Sequence, residues 1–425
     1  MTLFNPIEIT QSDRQRYQKP SLGLIYALSV PLVSGIYHLC LVDVGGFGLG
    51  GWLWIVMLLV GVAVFGLECA LGKNDRVAFP VTPWLPFAGL LWASLLWCQG
   101  SGTYPIQMAC QMTMPIFVGV AVSSYIQTER ELRLLMFMFV INIALLVLGF
   151  LVELVMAGGH ITEMGFRVGA LTAMLPAAVC LTGTWKRRFS PWIGWGICLA
   201  LAAVSGGRTA TLAMLGMPIL HPTFGRVVTK AAALGVTLLL FLALFFTPHF
   251  QDRFFHGGSG QLSDLTNGDI NTSGRGEAWP LIWREAMKRP VLGAGVGTSG
   301  PFTDLVCNLG GHPHNDYLRV VFEVGFVGFG LFIAVVLWQS RDLLLRIRSS
   351  DGVVRHAFSA VWLAWLMFLF TSLTDNTLIY CAAYMNPMFA LLGGAYGVHQ
   401  RQRSTSREAS DVLSTCGSTE SEMLG

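Results

Sequence analysis

Long apolar runs separated by short charged turns dominate the chain. Residues 52–67, 134–155 and 231–246 carry almost no charge, and a helix of about 20 such residues matches the hydrocarbon thickness of a bilayer. Hydropathy and loop charge together predict spans near 21–41, 50–70, 80–98, 106–126, 134–156, 166–184, 190–205, 209–221, 231–248, 316–338, 357–375 and 378–398. The expected fold is an all-α polytopic membrane protein of about 12 transmembrane helices. With the N-terminus inside, every cytoplasmic loop carries cations: Lys73 and Arg76, Arg130 and Arg133, Lys186 and Arg188, Arg226 and Lys230, Arg341 and Arg355, then Arg401 and Arg407. That is the positive-inside pattern.

This reading divides the chain into a cytoplasmic tail (1–20), transmembrane helices 1–9 (21–248), a long periplasmic loop (249–315), transmembrane helices 10–12 (316–398) and a Ser-rich, disordered cytoplasmic tail (399–425). The short spans at 190–205 and 209–221 flank Ser205, Gly206, Gly207 and Arg208, and also read as one broken pair that dips into the bilayer. The outer loop, roughly 65 residues, far exceeds the usual connection and is where function is expected. Within it Trp279, Ile282, Trp283 and Met287 recur at helical spacing, with Pro280 early and Pro290 as a stop. They predict an amphipathic helix over 275–289 on the outer membrane interface.

Composition supports the membrane reading. Hydrophobic residues make up 53% of the 425 and charged ones only 12%, about half the share in soluble domains. The net charge of +3 comes with no basic stripe, so nucleic acid is not an expected partner. No removable signal peptide is evident in residues 1–20. The nine cysteines form no CxxC pattern or disulfide framework.

Arginines on the outward side break the topogenic rule and carry the candidate chemistry. Arg167 and Arg208 each open an apolar span and Arg275 opens the interfacial helix. A charge at the bilayer edge is costly unless it is paired, snorkelled or engaged with a ligand. Guanidiniums grip phosphate oxygens in a fork, so several of them beside lipid suit a lipid-linked diphosphate. The alternative is that each snorkels to headgroups.

The segment Gly311-His312-Pro313-His314-Asn315-Asp316-Tyr317 leads into a span containing Arg319 and Glu323. An imidazole takes a proton near neutral pH, so His314 is a candidate general base, with Asn315 or Asp316 orienting it or capping the helix. His312 stands two residues away, and spacing leaves open which of the two faces the site. His312, His314 and Asp316 also admit a metal-ligand reading, but without a third strong ligand at motif spacing no metal and no cofactor is expected. Arg319 and Glu323, four apart, predict an ion pair on one helical face. Gly293-Ala294-Gly295-Val296-Gly297 follows a helix rather than a strand and reads as a turn before a phosphate loop.

Ser205-Gly206-Gly207-Arg208-Thr209, then Ser273-Gly274-Arg275 through Trp279 and Trp283 to Pro290 and Gly293-Ala294-Gly295, then His314-Asn315, Tyr317-Leu318, Glu323 and Gly325, occur in an order that resembles the O-antigen ligase and polymerase superfamily. The motifs cover roughly residues 205–330; the first half of the chain matches only in hydropathy. The resemblance implies a GT-C-like, metal-independent glycosyltransferase in the bacterial inner membrane. It would take a glycan from undecaprenyl diphosphate to a sugar hydroxyl of the lipid A-core, on the periplasmic face. Arg208 and Arg275 would hold the diphosphate and His314 would activate the acceptor; Arg167 joins them by position alone. His312, Asn315, Asp316, Tyr317, Arg319 and Glu323 would support the site. An O-antigen polymerase and a protein O-oligosaccharyltransferase share these motifs and differ in acceptor. A lipid-linked glycan transporter is the reading from another class, and it would place charges near the bilayer midplane.

Overall fold

The computed structural model describes residues 21–37, 43–44, 47–72, 77–100, 102–159, 166–183, 191–222, 227–247, 251, 255, 272–307 and 311–423. The expected tail at 1–20 and much of the expected loop at 249–315 lie outside them. Helices form wherever the apolar runs predict them. They are α1 (Leu22–Ile36), α2 (Leu49–Ala70), α3 (Leu85–Ala93), α4 (Tyr104–Tyr125), α5 (Glu129–Met156), α6 (Arg167–Thr182), α7 (Pro191–Val204), α8 (Arg208–Gly216) and α9 (Val227–Phe245). After the outer loop's α10 (Arg275–Ala286) and α11 (Ser299–Cys307) come α12 (Asp316–Ser349), α13 (Gly352–Thr371), a π turn at Cys381–Met385 and α14 (Asn386–Met423). Two-residue strands Asp43–Val44 and Phe47–Gly48 pair between α1 and α2. α14 continues over the tail that composition marks as disordered.

Among the described residues, five helices are long and apolar enough to cross a membrane: α2, α4, α5, α12 and α13. Shorter apolar helices occur at Leu22–Ile36, Thr82–Leu96, Val168–Thr182, Trp192–Val204 and Lys230–Phe245. α8 has nine residues, a rise of about 14 Å against a hydrocarbon core of about 30 Å, so the span expected at 209–221 does not cross by itself. It folds back on α7, with Trp195 Nε1 donating to the Met214 carbonyl at 3.0 Å, which makes the helical hairpin that the Gly206-Gly207 turn invites.

Burial separates the helices that hold the bundle from those facing lipid. In its span window α2 is 17% buried and α13 67%. α14 runs against α4 with backbones nearly touching, since a Cβ on Gly393 would stand 2.2 Å from the Gly119 carbonyl oxygen. Small residues permit such crossings where lipid supplies no hydrophobic drive.

α12 is broken at Gly325 (φ 66°, ψ −170°), a conformation open to glycine alone. In an unbroken helix the Phe322 and Glu323 carbonyls would accept from Phe326 and Val327. Here Ala294 N donates to Phe322 O (2.9 Å) and Gly295 N to Glu323 O (2.8 Å), while Phe326 N and Val327 N turn to Pro290 O (2.7 Å) and Val291 O (3.2 Å). The glycine-rich segment after α10 is thus laced into the break and satisfies the freed backbone groups, as irregular backbone at membrane depth requires. This is the expected turn, with a packing reason for its glycines.

Candidate functional site

α12 begins beneath His314. Asn315 caps it, its Oδ1 accepting from Leu318 N at 2.9 Å, so the capping role falls to Asn315 rather than Asp316. Asp316 is fully buried. Its Oδ2 accepts from Leu378 N (2.7 Å) and Ser372 Oγ (3.0 Å), clasping the turn after α13 to the head of α12. That turn supplies the partners of His314. Asn376 Oδ1 accepts from His314 N at 3.0 Å, Asn376 Nδ2 stands 2.9 Å from His314 Nδ1, and Asp375 Oδ1 lies 3.6 Å from the same ring nitrogen.

Behind the imidazole lies a buried ionic cluster. Arg319 is fully buried. It donates to Glu323 Oε1 (3.3 Å), to Asn376 Oδ1 (3.4 Å) and to His312 Nδ1 (3.1 Å), and Ser299 Oγ also reaches Glu323. The expected Arg319–Glu323 pair exists, and Arg319 also orients Asn376. Because Asn376 Oδ1 is taken by two donors, its amide nitrogen must face His314. Removing one partner of such a buried pair typically costs 3–5 kcal/mol.

The two histidines are thereby told apart. His312 is packed against Tyr380 and Arg319; burial first, then the Arg319 charge, pushes its pKa down to about 4. It stays neutral, with Nδ1 occupied. His314 keeps a quarter of its side-chain surface exposed beside Asp375, which does the same (25% and 26%).

The arginine-bearing segments meet this turn through a ring of hydrogen bonds. Arg208 Nη2 donates to Ser273 Oγ at 3.0 Å, and Thr209 Oγ1 lies 2.6 Å from Thr374 Oγ1, next to Asp375. Trp279 Nε1, on the helix that Arg275 begins, donates to the Pro313 carbonyl at 2.9 Å. Residues 208–209, 273–279, 313–314 and 374–376 therefore converge at one end of the bundle. Among the described residues only Ser273 (φ 52°) and His314 (φ 49°) are non-glycine residues with positive φ. Both lie in this ring, and backbone strain of that kind gathers at functional sites. Arg167 begins α6, whose Ala170 packs against Gly207; its side chain lies outside what the structure describes.

α10 is the expected amphipathic helix; it buries Ala278, Ile282 and Ala286 against Leu318, Val321 and Phe322, with Trp279 and Met287 packed at the edge. Trp279 and Trp283 line, with Pro280, Tyr317, Phe326 and Phe329, an apolar cavity of about 590 Å³ that reaches Gly276 and Asn315. Tyr317, expected as a supporting residue, lines this cavity and donates its hydroxyl to Leu369 O at 2.8 Å.

Thr374, Asp375 and Asn376 were not anticipated as site residues. A signal existed in the polar run Thr371-Ser372-Leu373-Thr374-Asp375-Asn376-Thr377 between two apolar helices, although nothing local tied it to His314. Among the described residues no group of three or more His, Cys, Asp or Glu is placed to hold a metal ion; Asp316 points into the bundle rather than toward the histidines.

Apolar helices of membrane-spanning length carry, at one end, a polar site of arginine, histidine and carboxylate, the mark of a membrane protein with a built polar site. Residues 154–333 match the family model described as O-Antigen ligase. No curated protein matches the chain. The matched stretch contains Arg167, Arg208, Arg275, His314, Arg319 and Glu323; Asp375 and Asn376 lie beyond it.

Proposed function

We propose that the chain is an O-antigen ligase acting on the periplasmic face of the inner membrane. It transfers a glycan from undecaprenyl diphosphate to a sugar hydroxyl of the lipid A-core. The observation that carries this is the ring joining the Arg208 and Arg275 segments to a strained, carboxylate-backed His314. Both termini lie in the cytoplasm in this reading, and about twelve helical segments cross or dip into the bilayer.

His314 Nδ1 stands between two partners of opposite demand. The Asn376 amide suits a bare Nδ1, whereas Asp375 suits a protonated one. When the ring proton moves to Nδ1 and the ring turns from the Asn376 amide toward Asp375, Nε2 is free to take the acceptor's hydroxyl proton. The acceptor oxygen then bonds to the anomeric carbon as the bond from that carbon to the diphosphate oxygen breaks, with inversion. The imidazolium is stabilised by Asp375, and the departing polyprenyl diphosphate by Arg208 and Arg275, with Arg167 a further candidate by its position in the sequence. Guanidiniums at the leaving group take the part a divalent cation plays elsewhere, so the reaction is metal-independent. The apolar cavity beside Arg275 suits the first isoprene units of the carrier.

Purified protein in detergent with EDTA, given polyprenyl-diphosphate glycan and lipid A-core, should transfer glycan, and His314→Ala should not. Elongation of the lipid-linked glycan instead would make it a polymerase. Transfer to peptide hydroxyls would make it a protein glycosyltransferase, and no transfer to any acceptor would favour a transporter. The ligase is preferred to the polymerase on the likeness of the His314 segment and on chain size. Arg208, Arg275 and His314 stand at helix starts, and the buried Arg319 and Glu323 neutralise each other, which favours surface chemistry over transport.

A further inference from the structure

A second polar cluster occupies the opposite end of α12, about 30 residues and roughly 40 Å of helix beyond Asp316. There Arg346 Nε lies 3.3 Å from Asp342 Oδ1, and its guanidinium sits over the Tyr396 ring, 5.6 Å from the centroid. The Tyr396 hydroxyl donates to Asp342 and accepts from Gln339 Nε2 at 3.2 Å. Asp342 is therefore fully committed to its neighbours. On α14, Tyr396, His399, Gln400, Arg403 and Ser404 fall on one helical face. With Arg346 and Ala78 they line a cavity of about 280 Å³.

His399 is the unusual member. It is only 4% exposed, its Nδ1 lies 2.9 Å from Ser350 Oγ, and its Nε2 has no hydrogen-bond partner. If Ser350 donates to Nδ1, Nε2 carries the ring proton and is left a buried donor without an acceptor. The cavity thus offers two arginines, Arg403 and the Asp342-paired Arg346, beside the buried His399 ring, with no carboxylate in its lining. Asp342 touches two lining residues but is taken up by Arg346 and the Tyr396 hydroxyl, and Glu129 on the adjacent face accepts from Gln402 Nε2 at 3.0 Å. This set calls for a compact anion with several acceptor oxygens. About 20 helical residues cross the hydrocarbon, so Arg346 lies at headgroup depth on the far side of the membrane. Anionic headgroups are concentrated on the cytoplasmic surface.

We propose that this cavity binds a phosphate ester, supplied by the headgroup of an anionic phospholipid, at the face of the membrane opposite the transfer site. The site holds the ends of α12 and α14 together from below. It is independent of the acceptor chosen above, and requires only that the helices span the bilayer.

Native mass spectrometry of the purified full chain with short-chain phosphatidylglycerol, phosphatidylcholine and inorganic phosphate tests it. Phosphatidylglycerol should be retained at least fivefold better than phosphatidylcholine, at about one charge's worth of surface attraction. Arg403→Glu should lose at least fivefold of that retention, while Arg348→Glu, exposed on the neighbouring turn and outside the lining, keeps it. Thermal midpoints should rise with phosphatidylglycerol in the parent and not in Arg403→Glu. Equal retention of the two lipids, or equal loss in the two variants, would overturn the site. Displacement of phosphatidylglycerol by millimolar inorganic phosphate would overturn the lipid source.

Discussion

Asp375→Asn tests whether the carboxylate beside His314 takes part in transfer. The substitution keeps shape and removes charge. At 3.6 Å and an effective dielectric of about 20, a carboxylate and an imidazolium attract by roughly 4–5 kcal/mol. Both side chains keep about a quarter of their surface in solvent, so screening leaves about 1.5–3 kcal/mol. Since that charge pair exists only once His314 has taken the acceptor proton, its loss should appear in the chemical step. The expected fall in kcat is about 10- to 100-fold, below the roughly 100- to 10,000-fold loss for removing the base itself. Single-turnover transfer at saturating donor and acceptor is the assay, with monodispersity in detergent as the folding control. A folded Asp375→Asn protein within twofold of the parent would refute the pairing. A raised donor KM at unchanged kcat would place Asp375 in binding instead.

Arg208→Ala and Arg275→Ala should each lower transfer about 100- to 1,000-fold without altering extraction or monodispersity; near-parent activity in both would end the diphosphate clamp. Gly325→Ala places a Cβ 2.2 Å from the Val291 carbonyl oxygen in a glycine-only conformation. It should cost about 2–4 kcal/mol, read as a melting temperature lower by several degrees, and an unchanged midpoint would remove the interlock. His312 is held near 4 by burial and Arg319, below the ordinary value near 6.5. Its contribution to stability is therefore complete above about pH 6.5 and lost as pH falls through about 4, up to about 3 kcal/mol. The melting midpoint should drop over that window, and His312→Gln should flatten the drop.

Local physics was legible along the chain. Apolar periodicity located the helical segments, because a bilayer leaves the backbone no other way to satisfy itself. Short-range rules put a cap at Asn315 or Asp316 and an ion pair at Arg319 and Glu323, since both depend on neighbours within about one turn. Glycine spacing marked 293–297 as a turn. Decisions that required distant residues appeared only in the tertiary structure. Arg319 meets His312 and Asn376 from different segments, and this is what leaves His314 rather than His312 beside Asp375. The break at Gly325 is bearable because residues 290–295 lie against it, a pairing across some thirty residues that no periodicity records. Helical spacing predicted α10 but not its neighbours: Ala278, Ile282 and Ala286 bury against α12 while Trp279 and Trp283 line an apolar cavity. An amphipathic pattern says that a helix has two faces; what lies opposite decides which one is covered.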